Sequence, residues 1–164
     1  MLIRATFWII VTALCGCASP GLRPDEGERL SFDTLVMNRS ACLGRCPVYS
    51  VEVTSKGNVT FRGERFVALP GTHTGFARNT DVSRLDRALA DENFFSLNQP
   101  DLDACTVSVT DNPTVEIVVV NGRSNHRVSY YYGCETPAGA GLDRLSKVVD
   151  EVAGTRRWVR SGAL

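Results

Sequence analysis

Histidine is scarce in this sequence, which has His73 and His126 among its 164 residues. Neither belongs to an i, i+4 metal pair or to a Gly-x-Ser-x-Gly nucleophile turn, so we expect both to be strand or turn residues. The sequence also lacks a phosphate loop, a dinucleotide fingerprint and two carboxylates at a spacing typical of glycosidases. We therefore predict a protein that is not an enzyme and has no cofactor or metal.

The sequence has no excess of charge of either sign, with 18 basic and 18 acidic residues. A nucleic-acid binder usually carries a basic patch and a basic overall balance. The small cluster Arg156, Arg157 and Arg160 is typical of a solvated edge. The charge balance therefore argues against a nucleic-acid partner.

No apolar run approaches the roughly 20 residues that cross a bilayer as a helix. Ala5–Leu14 is ten residues long and follows Arg4, which is the arrangement of a signal peptide. The run ends in Leu14-Cys15-Gly16-Cys17, which resembles the bacterial lipobox, although Cys15 stands where a small residue such as Ala or Ser is usual. An ordinary signal peptide cut nearby is the alternative.

The lipobox resemblance implies that residues 1–16 are removed and that Cys17 carries a diacylglycerol and an amide-linked acyl chain such as palmitate. The membrane would then be a partner through this anchor, because two or more acyl chains hold a protein stably. In a Gram-negative host, Ala18 after the lipidated Cys17 implies sorting to the outer membrane, facing the periplasm. Residues 17–31 predict a polar tether of about 20 Å, and residues 32–160 predict one domain.

Four cysteines remain in the predicted domain: Cys42, Cys46, Cys105 and Cys134. An even number in an exported chain predicts two disulfides, for which three pairings exist. We favour Cys42–Cys46, which brackets a short loop with Gly44, and Cys105–Cys134. A four-cysteine zinc site and a redox-active Cys42/Cys46 pair remain as alternatives, although the spacing matches neither a zinc ribbon nor Cys-x-x-Cys.

The first half of the domain alternates apolar and polar residues in the manner of strands. We predict strands at residues 32–37, 47–54, 59–62, 66–69 and 72–78, with a turn at 55–58. A helix capped by Thr80 or Asp81 should follow and end near Asn93.

The second half repeats this plan after a loop at residues 98–112. Strands are predicted at 114–120 and 127–132 around the hairpin turn Asn121-Gly122, followed by a helix that ends at Gly154. Both predicted helices contain Leu-Asp-Arg. The sequence therefore predicts an α+β fold, an antiparallel sheet of tandem β-β-α units with two helices on one face.

Three tyrosines define a candidate ligand face: Tyr49, Tyr130 and Tyr132. Tyr130 and Tyr132 share one side of their strand with Val128, and Tyr49 shares a side with Val51. Such a face is either core, which we favour, or a binding platform.

Residues 41–49 contain a Cys-x-Gly-x-Cys-Pro-x-Tyr pattern and resemble a family of small bacterial envelope proteins of unknown function. The resemblance extends over residues 32–159 and implies domain bounds and cysteine roles, but no substrate. We therefore expect a non-catalytic, lipid-anchored module that binds an envelope protein or ligand through the open face of its sheet. A thiol-redox enzyme centred on Cys42 and Cys46, or an inhibitor of an envelope enzyme, is the alternative.

Overall fold

The computed structural model describes residues 30–98 and 105–159. These residues form an antiparallel sheet and two α-helices, which confirms the predicted α+β class. The strands are β1 (Thr34–Arg39), β2 (Val48–Thr54), β3 (Asn58–Arg65), β4 (Gly71–Phe76), β5 (Thr114–Asn121) and β6 (Ser124–Tyr131). The helices are α1 (Asn79–Asp91) and α2 (Pro137–Ala153). The predicted signal peptide, Cys17 and most of the predicted tether lie outside the described residues.

The first strand of the described residues, β1, lies in the middle of the sheet. The strand order is β4-β3-β2-β1-β5-β6, so β1 separates the β2-β3-β4 meander from the β5-β6 hairpin. Leu35 of β1 lies opposite Val53 on one side and Val119 on the other. The tandem plan is therefore present, with one extra strand in the first unit and with β1 joining the two units.

Both helices cover the same face of the sheet. Their apolar stripes and the inward residues of the strands form one buried cluster, which includes Leu85 and Leu89 of α1 and Leu145 and Val149 of α2. Such an arrangement buries the one apolar face that an antiparallel sheet presents. Within residues 30–98 and 105–159, no helix has both the length and the apolar character needed to cross a membrane.

The helix ends differ from one another in how they are capped. Thr136 caps α2 by accepting a hydrogen bond from the Gly139 backbone N–H at 2.9 Å. Gly154 ends α2 with φ of 65°, and this stop was predicted. In contrast, α1 begins at Asn79, and the cap position, Arg78, makes no side-chain capping bond. The predicted Thr80 or Asp81 cap was therefore wrong.

The predicted strand at residues 66–69 was also wrong. Strand β3 continues to Arg65, and residues 66–70 form an irregular connection to β4. Phe66 has φ of 55°, a left-handed conformation that interrupts extended backbone. Residues 66–69 are a continuous apolar run that suggests a strand, but they belong to a loop in which the Phe66 and Leu69 side chains are exposed.

Candidate functional site

A charged side chain ends the inward-facing row of β1. Leu35 and Met37 are buried in the core, and alternation places Arg39 on the same face. Its register partners are Tyr49 on β2 and Val115 on β5, both buried. The sheet therefore brings a guanidinium to a position that the strand pattern reserves for an apolar residue.

Asp150 on α2 provides the counter-charge. Arg39 Nη2 donates to Asp150 Oδ2 at 2.8 Å. The other carboxylate oxygen accepts two further hydrogen bonds, from the Tyr49 hydroxyl at 2.6 Å and from Thr155 Oγ1 at 2.8 Å. Three donors from three elements thus hold this carboxylate, which is how buried charges are accommodated.

The guanidinium has further partners and also unused donor capacity. Nη2 donates to Ser146 Oγ and Nη1 donates to the Tyr132 hydroxyl, both at 3.1 Å. Arg39 Nε is buried and has no acceptor among the described residues. An arginine has five N–H groups, so this side chain is not saturated by the protein around it.

The environment fixes the protonation of two groups in the network. Burial disfavours charge on Arg39, but the Asp150 carboxylate together with the Tyr49 and Tyr132 hydroxyls outweighs this effect, and the pKa of Arg39 is raised above its usual range. Burial, reinforced by Asp150, also raises the pKa of the Tyr49 hydroxyl well above its ordinary value. Both groups therefore keep their protons throughout the neutral range.

A cleft of about 830 Å³ opens next to this network. One wall is the β1–β2 loop with Cys46 and Pro47, and another is the segment before β5 with Asn112 and Pro113. The third wall is the face of α2 and the turn that follows it. We call this space, which Arg39 also lines, the Arg39 cleft.

The charged residues of the α2 wall are mostly paired. Lys147 Nζ lies 2.7 Å from Asp143 Oδ2, and Glu151 pairs with Arg84 of α1. Arg156 lines the same wall and is exposed, and no carboxylate of the described residues forms an ion pair with it. The pairing therefore leaves one cation of this wall uncompensated.

Both disulfides lie at the end of the sheet where the Arg39 cleft opens. Cys42–Cys46 closes the β1–β2 loop, and Cys105–Cys134 joins the segment before β5 to the residues after β6. These are the two pairings favoured from the sequence. Backbone hydrogen bonds add to them: the Leu43 N–H donates to the Asp111 carbonyl at 3.1 Å.

The loops at this end expose large apolar side chains. Leu43, at the tip of the Cys42–Cys46 loop, is 80% exposed. The other exposed apolar residues at this end are Phe66, Leu69, Val107 and Val109. Leu43 and Val109 belong to the same loops as the cleft walls, so apolar surface borders the charged cleft.

The three tyrosines of the candidate face differ in burial, and two of them belong to the core, the interpretation favoured from the sequence. Tyr49 and Tyr130 are buried beneath the helices, because their strand positions point to the apolar face, so they do not form an exposed platform. Tyr132 is half-buried and lines the Arg39 cleft. Tyr49 instead contributes indirectly, because its hydroxyl donates a hydrogen bond to Asp150.

The sequence reading missed Arg39 and Asp150. A signal was present for both: Arg39 continues the alternation of Leu35 and Met37, and Asp150 follows Val149 on the apolar stripe of α2. Two opposite charges at core positions of different elements predict a buried pair, but only if those elements are known to meet.

The histidines occupy ordinary structural positions. His73 Nε2 lies 3.1 Å from the Pro70 carbonyl oxygen, and His126 Nε2 lies 2.9 Å from the Leu97 carbonyl oxygen. In the described ranges, no group of three His, Cys, Asp or Glu side chains is arranged to hold a metal ion.

Residues 33–153 match the model of a protein family described as a domain of unknown function, DUF6438. The chain belongs to the DUF6438 family. The matched DUF6438 region includes all six strands and both helices, whereas Thr155 and Arg156 lie beyond it. No curated protein matches the chain.

Proposed function

We propose that this DUF6438 chain is a non-catalytic binding module of the bacterial envelope, held at the outer membrane by lipid on Cys17 and facing the periplasm. Its ligand-binding site is the Arg39 cleft. The partner is an envelope protein or another ligand of the envelope.

The observation that carries this proposal is the buried, permanently charged Arg39 at the cleft floor. A general acid or base works best with a pKa near the working pH. The pKa values of Arg39 and Tyr49 are instead raised further above neutral pH. Fixed donors of this kind suit recognition of a ligand better than proton transfer.

The cleft is a better candidate than the open face of the sheet. On that face, Glu116 pairs with Arg127 at 2.6 Å and accepts a hydrogen bond from the Asn38 side chain at 3.0 Å. These polar groups satisfy one another across β1, β5 and β6. The cleft instead combines concave shape, unused donors and bordering apolar surface, which are features of ligand sites.

The position of the chain entry supports access to the cleft from the periplasm. Ser31 precedes β1 and is fixed to α1, because its hydroxyl donates to Asp86 Oδ1 at 2.6 Å. The cleft lies at the other end of β1, about 20 Å away for six residues of strand. The cleft therefore lies at the end of the domain opposite to the entry of the chain.

A test combines acyl analysis with site-specific crosslinking. Mass spectrometry of the full-length chain extracted from membranes should find residues 1–16 removed and Cys17 acylated. A photo-crosslinker at Asn112 in the cleft should capture a component of the envelope, whereas the same group at Arg123, on the β5–β6 turn, should not. An intact Met1, an unmodified Cys17 or equal capture from both positions would reject the proposal.

One observation favours a thiol-redox enzyme as a second candidate: Cys46 itself lines the cleft. That function needs a disulfide that is reduced and reformed under mild conditions. Thiol titration of the full-length chain in a glutathione buffer separates the two candidates. Release of two thiols assigned to Cys42 and Cys46 would favour redox chemistry, and resistance of this pair would favour a structural staple. Inhibition of an envelope enzyme is a special case of binding, for which crosslinking would supply the target.

A further inference from the structure

We infer that the Arg39 cleft binds a carboxylate that is attached to an apolar group, with Arg156 as its main ion-pair partner. This inference rests on the proposal that the cleft is a binding site, and it adds the chemical class of the ligand.

The balance of charge in the cleft favours a single negative charge on the ligand. Its lining carries three cations and three acidic groups. Asp150 pairs with Arg39 and Asp143 with Lys147, whereas Glu151 pairs with Arg84, which lies outside the lining. Arg156 is therefore left as one surplus positive charge. A phosphate monoester carries about −1.5 to −2 at neutral pH, so a carboxylate matches this surplus more closely.

The balance of hydrogen bonds also favours an acceptor. The two oxygens of Asp150 already receive three donors, so they offer little to an ammonium group. Lys147 has three N–H groups, and one of them donates a hydrogen bond to Asp143. The guanidinium of Arg156 adds five further donors. A carboxylate can accept from such donors in the bidentate geometry typical of arginine.

The walls of the cleft specify what the carboxylate is attached to. Cys46, Pro47 and Pro113 present carbon and sulfur surface to the interior, and exposed Leu43 and Val109 lie on the same loops. A ligand that places an apolar group next to its carboxylate would cover this surface. The carboxyl end of a polypeptide with an apolar last residue and a free N-acyl amino acid share this chemistry.

The inference can be tested by calorimetric titration of the full-length chain in nonionic detergent. The probes are N-acetyl-leucine, its carboxamide and methyl phosphate, with the peptide acetyl-Ala-Ala-Leu in acid and amide forms. We expect each acid to bind at least roughly tenfold more tightly than its amide, as expected for loss of an ion pair of about 1.4 kcal/mol. Tighter binding of the peptide acid than of N-acetyl-leucine would identify a chain end as the source, and the reverse would identify a small molecule.

Two variants locate the site. Arg156→Gln should weaken binding of N-acetyl-leucine by roughly three- to fivefold, because it removes the surplus charge from an exposed position that the fold does not need. Arg123→Gln, an exposed arginine at the other end of the sheet, should leave binding unchanged.

Three results would overturn the inference: equal affinity for acid and amide, equal or tighter binding of methyl phosphate, or an unchanged affinity in Arg156→Gln. Its failure is distinguishable from failure of the proposed function. If the cleft crosslinks an envelope component but prefers no acid, the carboxylate assignment alone is wrong. If Cys17 is unmodified and the cleft crosslinks nothing while N-acetyl-leucine still binds through Arg156, the envelope role alone is wrong.

Discussion

Arg39 Nη2 and Asp150 Oδ2 lie 2.8 Å apart and join the end of the central strand to the last turn of the second helix. The two side chains retain 16% and 7% of their exposure. Because the pair is nearly buried, its two members depend on each other. Loss of either one would leave the other as an uncompensated charge with little solvation by water. Both members of the pair line the Arg39 cleft.

Asp150→Asn should destabilise the fold strongly. The substitution keeps the size of the side chain but leaves the Arg39 guanidinium without a counter-charge, and breaking a buried pair in this way costs about 3–5 kcal/mol. Urea unfolding followed by circular dichroism measures the loss.

Glu151→Gln is the matched control for Asp150→Asn. Glu151 is the next residue of α2, but it is exposed and pairs with Arg84 on the surface. Exposed pairs contribute less than about 1 kcal/mol. If both variants lost the same stability, the buried pair would not have the role assigned to it.

Alkaline conditions should destabilise the protein through Tyr49. The pKa of its hydroxyl is raised in the folded state, first by burial and then by Asp150, whereas an unfolded tyrosine loses its proton near pH 10. The folded chain thus holds more protons above pH 10, so the free energy of unfolding falls as pH rises, by up to about 1.4 kcal/mol per pH unit for one group.

Tyr49→Phe tests the origin of this alkaline slope. The variant should be less stable than wild type at neutral pH by about 1.5–3 kcal/mol, since it removes a hydrogen bond to a carboxylate. Above pH 10 the difference in the free energy of unfolding between wild type and Tyr49→Phe should narrow, because only wild type loses stability through Tyr49. Burial also raises the pKa of Tyr130, so part of the slope should persist. An identical slope in both proteins would contradict the prediction.

The two disulfides should contribute unequally to stability. Cys105–Cys134 spans 29 residues and Cys42–Cys46 spans 4. In the chain-entropy account, each disulfide stabilises the fold because it lowers the entropy of the unfolded chain. The expected stabilisation is about 3–4 kcal/mol for the longer ring and about 2 kcal/mol for the shorter ring. Urea unfolding of the Cys105→Ser/Cys134→Ser and Cys42→Ser/Cys46→Ser double variants should reproduce this order. The reverse order would indicate that local contacts of the short loop dominate.

Gly139→Ala should be destabilising even though alanine is the better helix former. A Cβ at Gly139 would lie 2.1 Å from Cε2 of Tyr130, so the first turn of α2 would have to move away from the sheet. We expect a loss of about 1–3 kcal/mol in urea unfolding, instead of the gain of up to about 1 kcal/mol that propensity alone predicts.

Gly141→Ala provides the comparison, two residues further along α2. There the added Cβ would meet the carboxylate end of Glu92, so at most the surface ion pair of Glu92 with the exposed Arg144 is disturbed. Its stability should stay within about 1 kcal/mol of wild type. Equal losses at Gly139 and Gly141 would show that the contact with Tyr130 is not the cause.

Local patterns were sufficient to predict most of the secondary structure. The alternation in β2, with Tyr49 and Val53 inward and Glu52 outward, matches the observed burial. The turn Asn121-Gly122 and the stop at Gly154 were predicted from residues that tolerate positive φ. These features depend on neighbours in the sequence, which is why the sequence reveals them.

The candidate site was less predictable because it is assembled from distant parts of the chain. Arg39, Tyr49 and Asp150 come from three elements, and 111 positions separate Arg39 from Asp150. The sequence shows that each has an inward position but does not show that these positions converge. That convergence follows from the central place of β1, which no local pattern encodes.

The central place of β1 also has a consequence for how the protein matures. Strand β1 contacts β2, which follows it directly, but its other edge is paired by β5, whose partner residues lie about 80 positions later, as for Arg39 and Val115. Pairings at such separation form slowly, since the intervening chain must first be closed into a loop. Until β5 arrives, one edge of β1 is an unpaired template for other strands. The interval before the second hairpin docks is therefore the period in which the folding chain is most open to pairing with other strands.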